Sequence, residues 1–126
     1  MGWIGVDLDC TLAHYDGYNH AVIGDPIPAM LNRVKAWIAS GKDVRIFTAR
    51  ASRHPNQTDE EFAEEISAIE DWCEKHLGTK IPVTATKDYA MIELWDDRAV
   101  QVEPNTGHRY GRSRDRDWET DRKSVV

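Results

Sequence analysis

Asp7 and Asp9 stand two residues apart at the end of an apolar run, in "WIGVDLDCTLAHY". An uncompensated carboxylate in such a place is costly, so the pair either turns into solvent or holds a cation. Three further sites have matching chemistry. Thr48 closes the apolar stretch "DVRIF", Lys87 follows "IPVTAT", and Asp96 and Asp97 close "MIELW". Hard divalent cations such as Mg²⁺ take oxygen ligands, and carboxylates supply them. A carboxylate can attack phosphorus, and a second can move a proton between the leaving oxygen and water. A hydroxyl and an ammonium can stabilise the charge that develops on the phosphoryl oxygens. The residue types therefore suit metal-assisted phosphoryl transfer. Asp7 is the expected nucleophile, Asp9 the acid/base, and Thr48 and Lys87 the stabilising groups. Asp7, Asp9, Asp96 and Asp97 are the expected metal ligands.

These residues need a scaffold that brings them to one place. "GWIGVDL" reads as a buried strand, and "DVRIF", "IPVTAT", "MIELW" and a short "AVQV" as further strands. "PAMLNRVKAWIAS" places Pro28 at a first helical position. Met30, Leu31, Val34, Trp37 and Ile38 share one face, and Gly41 ends the helix. "TDEEFAEEISAIEDWCEKHLG" opens with the capping-box spacing of Thr58 and Glu61. Phe62, Ile66, Ile69, Cys73 and Leu77 form its expected core stripe, with the acids on a solvated face. Alternating strands and helices imply an α/β fold with a doubly wound, mainly parallel sheet of about five strands, covered on both faces. Ligands of such sheets sit beyond the carboxyl ends of the strands. Asp7, Thr48 and Asp96 each end a strand, so all fall on that edge.

The bulk properties fit this picture. The chain has 126 residues, enough for one domain, and a net charge of −6. Residues 1–106 form the expected catalytic domain and 107–126 a polar tail. The acidic body argues against broad binding to nucleic-acid backbones, although a site cation can reverse the local sign. No secretory signal and no membrane span is visible, so a cytoplasmic protein is expected. Cys10 and Cys73 are expected to be reduced thiols. His14, His20, His54, His76 and His108 lack zinc-like spacing and are expected at the surface. Trp37, Trp72 and Trp95 are expected in the core, and Arg98 in a pair with a neighbouring acid.

"DLDCT", "FTAR", Lys87 and "LWDD" together resemble the four motifs of the haloacid dehalogenase (HAD)-like phosphohydrolases, over roughly residues 3–105. The resemblance implies a Rossmann-like fold and a Mg²⁺-dependent phosphatase working through an aspartyl-phosphate on Asp7. Cys10, Thr11, Ala49 and Arg50, in the first two motif loops, are the implied substrate contacts. Cys10 stands where the family usually has glycine. The short spacing from Lys87 to Asp96 keeps Lys80 as a second candidate for the site lysine. Residues 12–27 leave room for a flap, so the chain resembles the capless type, with a minimal cap or none. The implied partner is a small phosphorylated substrate, such as a nucleotide, or a phosphorylated nucleic-acid end. A homo-oligomer would be one way to cover so open a site. Tyr15 and Tyr18 in the flap are candidate stacking residues. A phosphate-binding module without turnover is the competing reading. A receiver domain and a two-metal nuclease fit the spacing less well.

Overall fold

In a computed structural model the described residues are 2–111. They form a small α/β unit with one four-stranded, all-parallel sheet and two helices. This architecture is compatible with a Rossmann-like fold. The strands are β1 (Trp3–Val6), β2 (Asp43–Phe47), β3 (Val83–Thr84) and β4 (Met91–Trp95), in the order β3-β2-β1-β4. The helices are α1 (Pro28–Ala39) and α2 (Asp59–Leu77).

Local chemistry sets the helix ends. Pro28 occupies the first turn of α1, where its missing N–H costs nothing. The capping box of α2 forms as the spacing predicts. Glu61 N–H donates to Thr58 Oγ1 at 3.0 Å, and Thr58 N–H donates to Glu61 Oε1 at 2.9 Å. Gly78 ends α2 in the left-handed conformation at φ 86°.

One core joins the sheet to both helices. Ile4, Val6, Val44 and Ile46 pack against Met30 and Val34 of α1 and against Ile69, Trp72, Cys73 and Leu77 of α2. Both helices therefore lie on the same face, which corrects the expectation of a sheet covered on both sides. The cause is topological. β1, β2 and β3 advance in one direction, so right-handed crossovers put α1 and α2 on one side. The return from β3 to β4 spans only residues 85–90, too few for a crossover helix. On the opposite face Trp3 is buried beneath Arg45, whose guanidinium carbon lies 4.7 Å from the ring centroid. Trp3 Nε1–H donates to Asp88 Oδ1 at 2.8 Å. Gly5 makes this possible, since a Cβ there would lie 3.0 Å from Met91 Cε and 3.2 Å from Trp3 Cζ3.

Two other expectations change. "AVQV" does not add a fifth strand. Val102 instead makes an isolated antiparallel bridge to Arg109, so the expected polar tail begins in local backbone pairing at residues 107–110. Residues 112–126 of that tail lie outside the described residues. The buried stripe of α2 is also rotated from the expected one. Phe62 and Ile66 are half-buried, while Trp72 and the carboxylate of Glu65 are buried. Trp95 keeps to the helix face, edge-on to Trp37 at 5.2 Å between ring centroids. Among the described residues no helix is long and apolar enough to cross a membrane.

Candidate functional site

The carboxyl ends of β1, β2 and β4 open into one cleft of about 390 Å³. Asp7 follows β1 directly, Thr48 follows β2, and Asp96 follows β4. Their pairing in register, Val6 beside both Ile46 and Trp95, brings these strand ends level. Asp7, Asp9, Cys10, Thr48, Ala49, Asp96 and Asp97 all line the cleft.

Oxygens of Asp7, Asp96 and Asp97 lie within 4.8 Å of one another. Thr11 Oγ1 lies 3.4 Å from both Asp7 Oδ2 and Asp97 Oδ1 and can donate to either. Burial, a proton shared with Asp97, and the charges of Asp96 and Asp97 push the Asp7 carboxyl up to about 7. None of the three carboxylates forms an ion pair with a Lys, Arg or His among the described residues. Their hard oxygen donors at this spacing fit a divalent cation, which would relieve the repulsion.

Asp9 is elsewhere. The chain leaves the extended conformation after Val6 and folds over Leu8, whose carbonyl accepts from the amides of Thr11, Leu12 and Ala13. That turn directs Asp9 away from the three-carboxylate group and onto Arg50. Arg50 Nε–H donates to Asp9 Oδ2 at 2.9 Å, and Nη2–H to Oδ1 at 3.1 Å. The expected alternation along an extended strand does not apply past Asp7.

Arg50 is itself buried and spent on protein groups. Besides Asp9 it donates through Nη1 to Glu65 Oε2 at 2.7 Å and to the Asn19 carbonyl at 3.2 Å. Thr48 is 3 % exposed and caps a one-turn 3₁₀ helix, Ala49–Ala51, by accepting from Arg50 N–H at 3.2 Å. Its hydroxyl proton has no acceptor among the described residues and is available to the cleft.

Cys10 takes φ 75°, in the left-handed region that suits glycine. Partial desolvation and the charges of Asp97, Asp7 and Asp9 push its thiol up, which holds it protonated. Cys10→Gly is expected to leave stability unchanged or raise it by up to about 1 kcal/mol. A left-handed non-glycine residue costs roughly 1–2 kcal/mol, part of which the looser unfolded chain offsets. Urea denaturation measures this, and a loss of more than about 1 kcal/mol would show that the thiol side chain is needed for packing.

The lysines fall differently. Lys80 precedes β3, at the sheet edge away from the cleft. Lys87 follows β3 but is exposed and does not line the cleft, to which that loop contributes Ala85. The cation that does line it is Arg98, whose guanidinium makes no ion pair among the described residues. The sequence offered a signal for Arg98, since it follows the Asp96-Asp97 pair directly. Glu65 had a signal too: it stands in helical register with Ile69, Trp72 and Cys73.

The flap of residues 12–27 is folded onto the body. His14 N–H donates to the Asp25 carbonyl at 2.8 Å, Ile27 N–H to the Leu12 carbonyl at 2.8 Å, and Trp72 Nε1–H to the Gly24 carbonyl at 2.9 Å. Tyr15 reaches the cleft, whereas Tyr18 turns toward α2. Comparison of the chain with family models, with characterised proteins and with solved structures finds no match.

Proposed function

We propose that this protein is a HAD-like, Mg²⁺-dependent phosphatase that hydrolyses a phosphomonoester through an aspartyl-phosphate on Asp7. The observation that carries the reading is the convergence of Asp7, Asp96, Asp97 and the unspent Thr48 hydroxyl on one cleft at three strand ends. Asp7 attacks phosphorus, and the leaving alkoxide takes a proton through Asp9. Asp9 then accepts a proton from the water that cleaves the acyl-phosphate bond and regenerates Asp7. Thr48 donates to a phosphoryl oxygen, and Arg98 supplies positive charge at the mouth of the cleft. Mg²⁺ held by Asp7, Asp96 and Asp97 would neutralise charge on the phosphoryl oxygens. Lys87 and Lys80 have weaker support, since neither lines the cleft.

The substrate class is a small phosphorylated molecule such as a nucleotide, or a phosphorylated nucleic-acid end. Among the described residues the cleft has no lid beyond the folded flap, and its walls are acidic, so the phosphate is bound through the metal and Arg98 rather than through a broad basic surface. Arg98→Ala is expected to raise KM about tenfold at nearly constant kcat. That lies at the low end for hydrogen bonds to charged groups because the side chain is exposed. Arg98→Lys should recover part of the loss.

A second reading has one observation in its favour. Asp9 is tied to Arg50 by two hydrogen bonds, as it would be in a module that binds phosphate without turnover. Turnover of a chromogenic phosphate ester in Mg²⁺, with beryllium fluoride trapping of Asp7, separates the two. Turnover that Asp7→Asn removes supports the phosphatase, and tight trapping without turnover supports the binding module.

A further inference from the structure

Glu65 is a carboxylate with no solvent exposure, in the middle of α2. Burying an ion there costs several kcal/mol unless its lone pairs are filled, and an apolar residue would pack at lower cost. Here they are filled from two directions. Oε2 accepts from Arg50 Nη1–H at 2.7 Å. Oε1 accepts from Tyr18 O–H and from Ala21 N–H, each at 2.9 Å, and lies 3.1 Å from His20 Nδ1. Desolvation works against the charged form, but the Arg50, Ala21 and Tyr18 hydrogen bonds outweigh it, and Glu65 is held below the usual carboxylate range.

The partners fall into two sets. Arg50 carries the contact onward to both oxygens of Asp9. Tyr18 and Ala21 belong to the flap, as does Asn19, whose carbonyl accepts from Arg50 at 3.2 Å. Tyr18 also lies beneath the Arg50 guanidinium, at 5.2 Å from ring centroid to the guanidinium carbon. Ala21 takes φ 56°, a conformation that alanine adopts at a cost, and its amide meets the carboxylate from there.

We infer that Glu65 is a positioning residue: through Arg50 it fixes the carboxylate of Asp9, and through Tyr18 and Ala21 it fastens the flap to the same point. The flap and Asp9 are thereby set as one unit. Arg50 belongs to this unit and not to the phosphate-binding groups. The inference rests on the proposed phosphatase for its catalytic consequence, but the latch itself is observable without turnover. Two readouts serve that purpose. The Arg50 Nε–H proton, on a buried side chain and donated to Asp9 Oδ2, gives a slowly exchanging NMR signal in the full-length protein. The Ala21 amide is protected from hydrogen exchange.

In Glu65→Gln the charge is lost and the volume kept. The expected result is fast exchange of the Arg50 Nε–H, at least about a tenfold loss of Ala21 protection, and kcat lowered about 10–100-fold with KM within about threefold. A displacement near 1 Å of a catalytic group has effects of that order. Activity is expressed per folded molecule, so that a general loss of folding does not imitate the result. Should that variant fail to fold, Glu65→Asp keeps the charge but withdraws it by one methylene, and the same readouts apply. Retention of both NMR signatures, or parent-like kcat with the latch open, overturns the inference. If the parent itself turns over no phosphate ester, the phosphatase reading fails, and the Arg50 and Ala21 signals alone decide whether Glu65 holds the unit together.

Discussion

Asp7→Asn is expected to abolish turnover of phosphate esters, by about 10⁴-fold or more in kcat at saturating Mg²⁺. The amide cannot act as the nucleophile, and losses of this order follow removal of a covalent catalyst when the rest of the site stays intact. The fold should survive. Asp7 is only half-buried, and its amide donates to the Trp95 carbonyl at 2.9 Å, a backbone bond that the substitution leaves alone. The variant also removes one charge from a repulsive cluster. Steady-state turnover alongside circular dichroism and thermal denaturation checks both halves of the expectation. A variant that folds like the parent and keeps more than about a tenth of its rate would exclude Asp7 as nucleophile. Loss of beryllium fluoride trapping in the same variant would tie the effect to the acceptor carboxylate.

The second large effect concerns pH in the absence of metal. Asp7 titrates near 3.8 in an unfolded chain and near 7 in the native cluster. The direction follows from linkage. Below about pH 4 the group is protonated in both states and contributes nothing. Between about 4 and 7 the native state holds a proton that the unfolded state has lost, so stability falls as pH rises. Above 7 the carboxylate is charged in both states and the full penalty remains. Metal-free parent protein should therefore lose stability relative to Asp7→Asn between pH 4.5 and 7.5. The loss should be about 2 kcal/mol, roughly half of what the full shift implies, because the half-buried group is partly screened by solvent. Taking the difference between parent and variant cancels other titrating groups, including Glu65, whose lowered value acts in the opposite sense. Denaturant titrations in a chelator measure it. Adding Mg²⁺ at pH 7.5 should restore the parent selectively, by about 2.7 kcal/mol at a hundred times Kd, and Asp96→Asn should weaken that response. A parent and variant with parallel pH profiles would show that the three carboxylates do not share a proton.

Local sequence signals marked the ends of β1, β2 and β4 and what they carry. Apolar runs that close on Asp7, Thr48 and Asp96 are local signals, since buried parallel strands read as continuous apolar stretches and polar residues mark where they surface. The helix starts were legible for the same reason: Pro28 and the Thr58–Glu61 box act within one turn. The convergence of these ends on one edge followed from the parallel order of the sheet.

Tertiary structure decided what depends on long-range pairing. The turn over Leu8 sends Asp9 to Arg50, forty-one residues away, and leaves Asp7, Asp96 and Asp97 as the group that fits a cation. A two-residue spacing carries no record of whether the chain stays extended beyond the strand. Glu65 reads as one more acid on a charged helix, because periodicity reports spacing and not which partners are waiting inside. Only the folded chain brings Arg50 and the flap to it, and the same contacts that meet the cost of burying its charge remove Arg50 from the cleft and leave Arg98 as the cation that lines it.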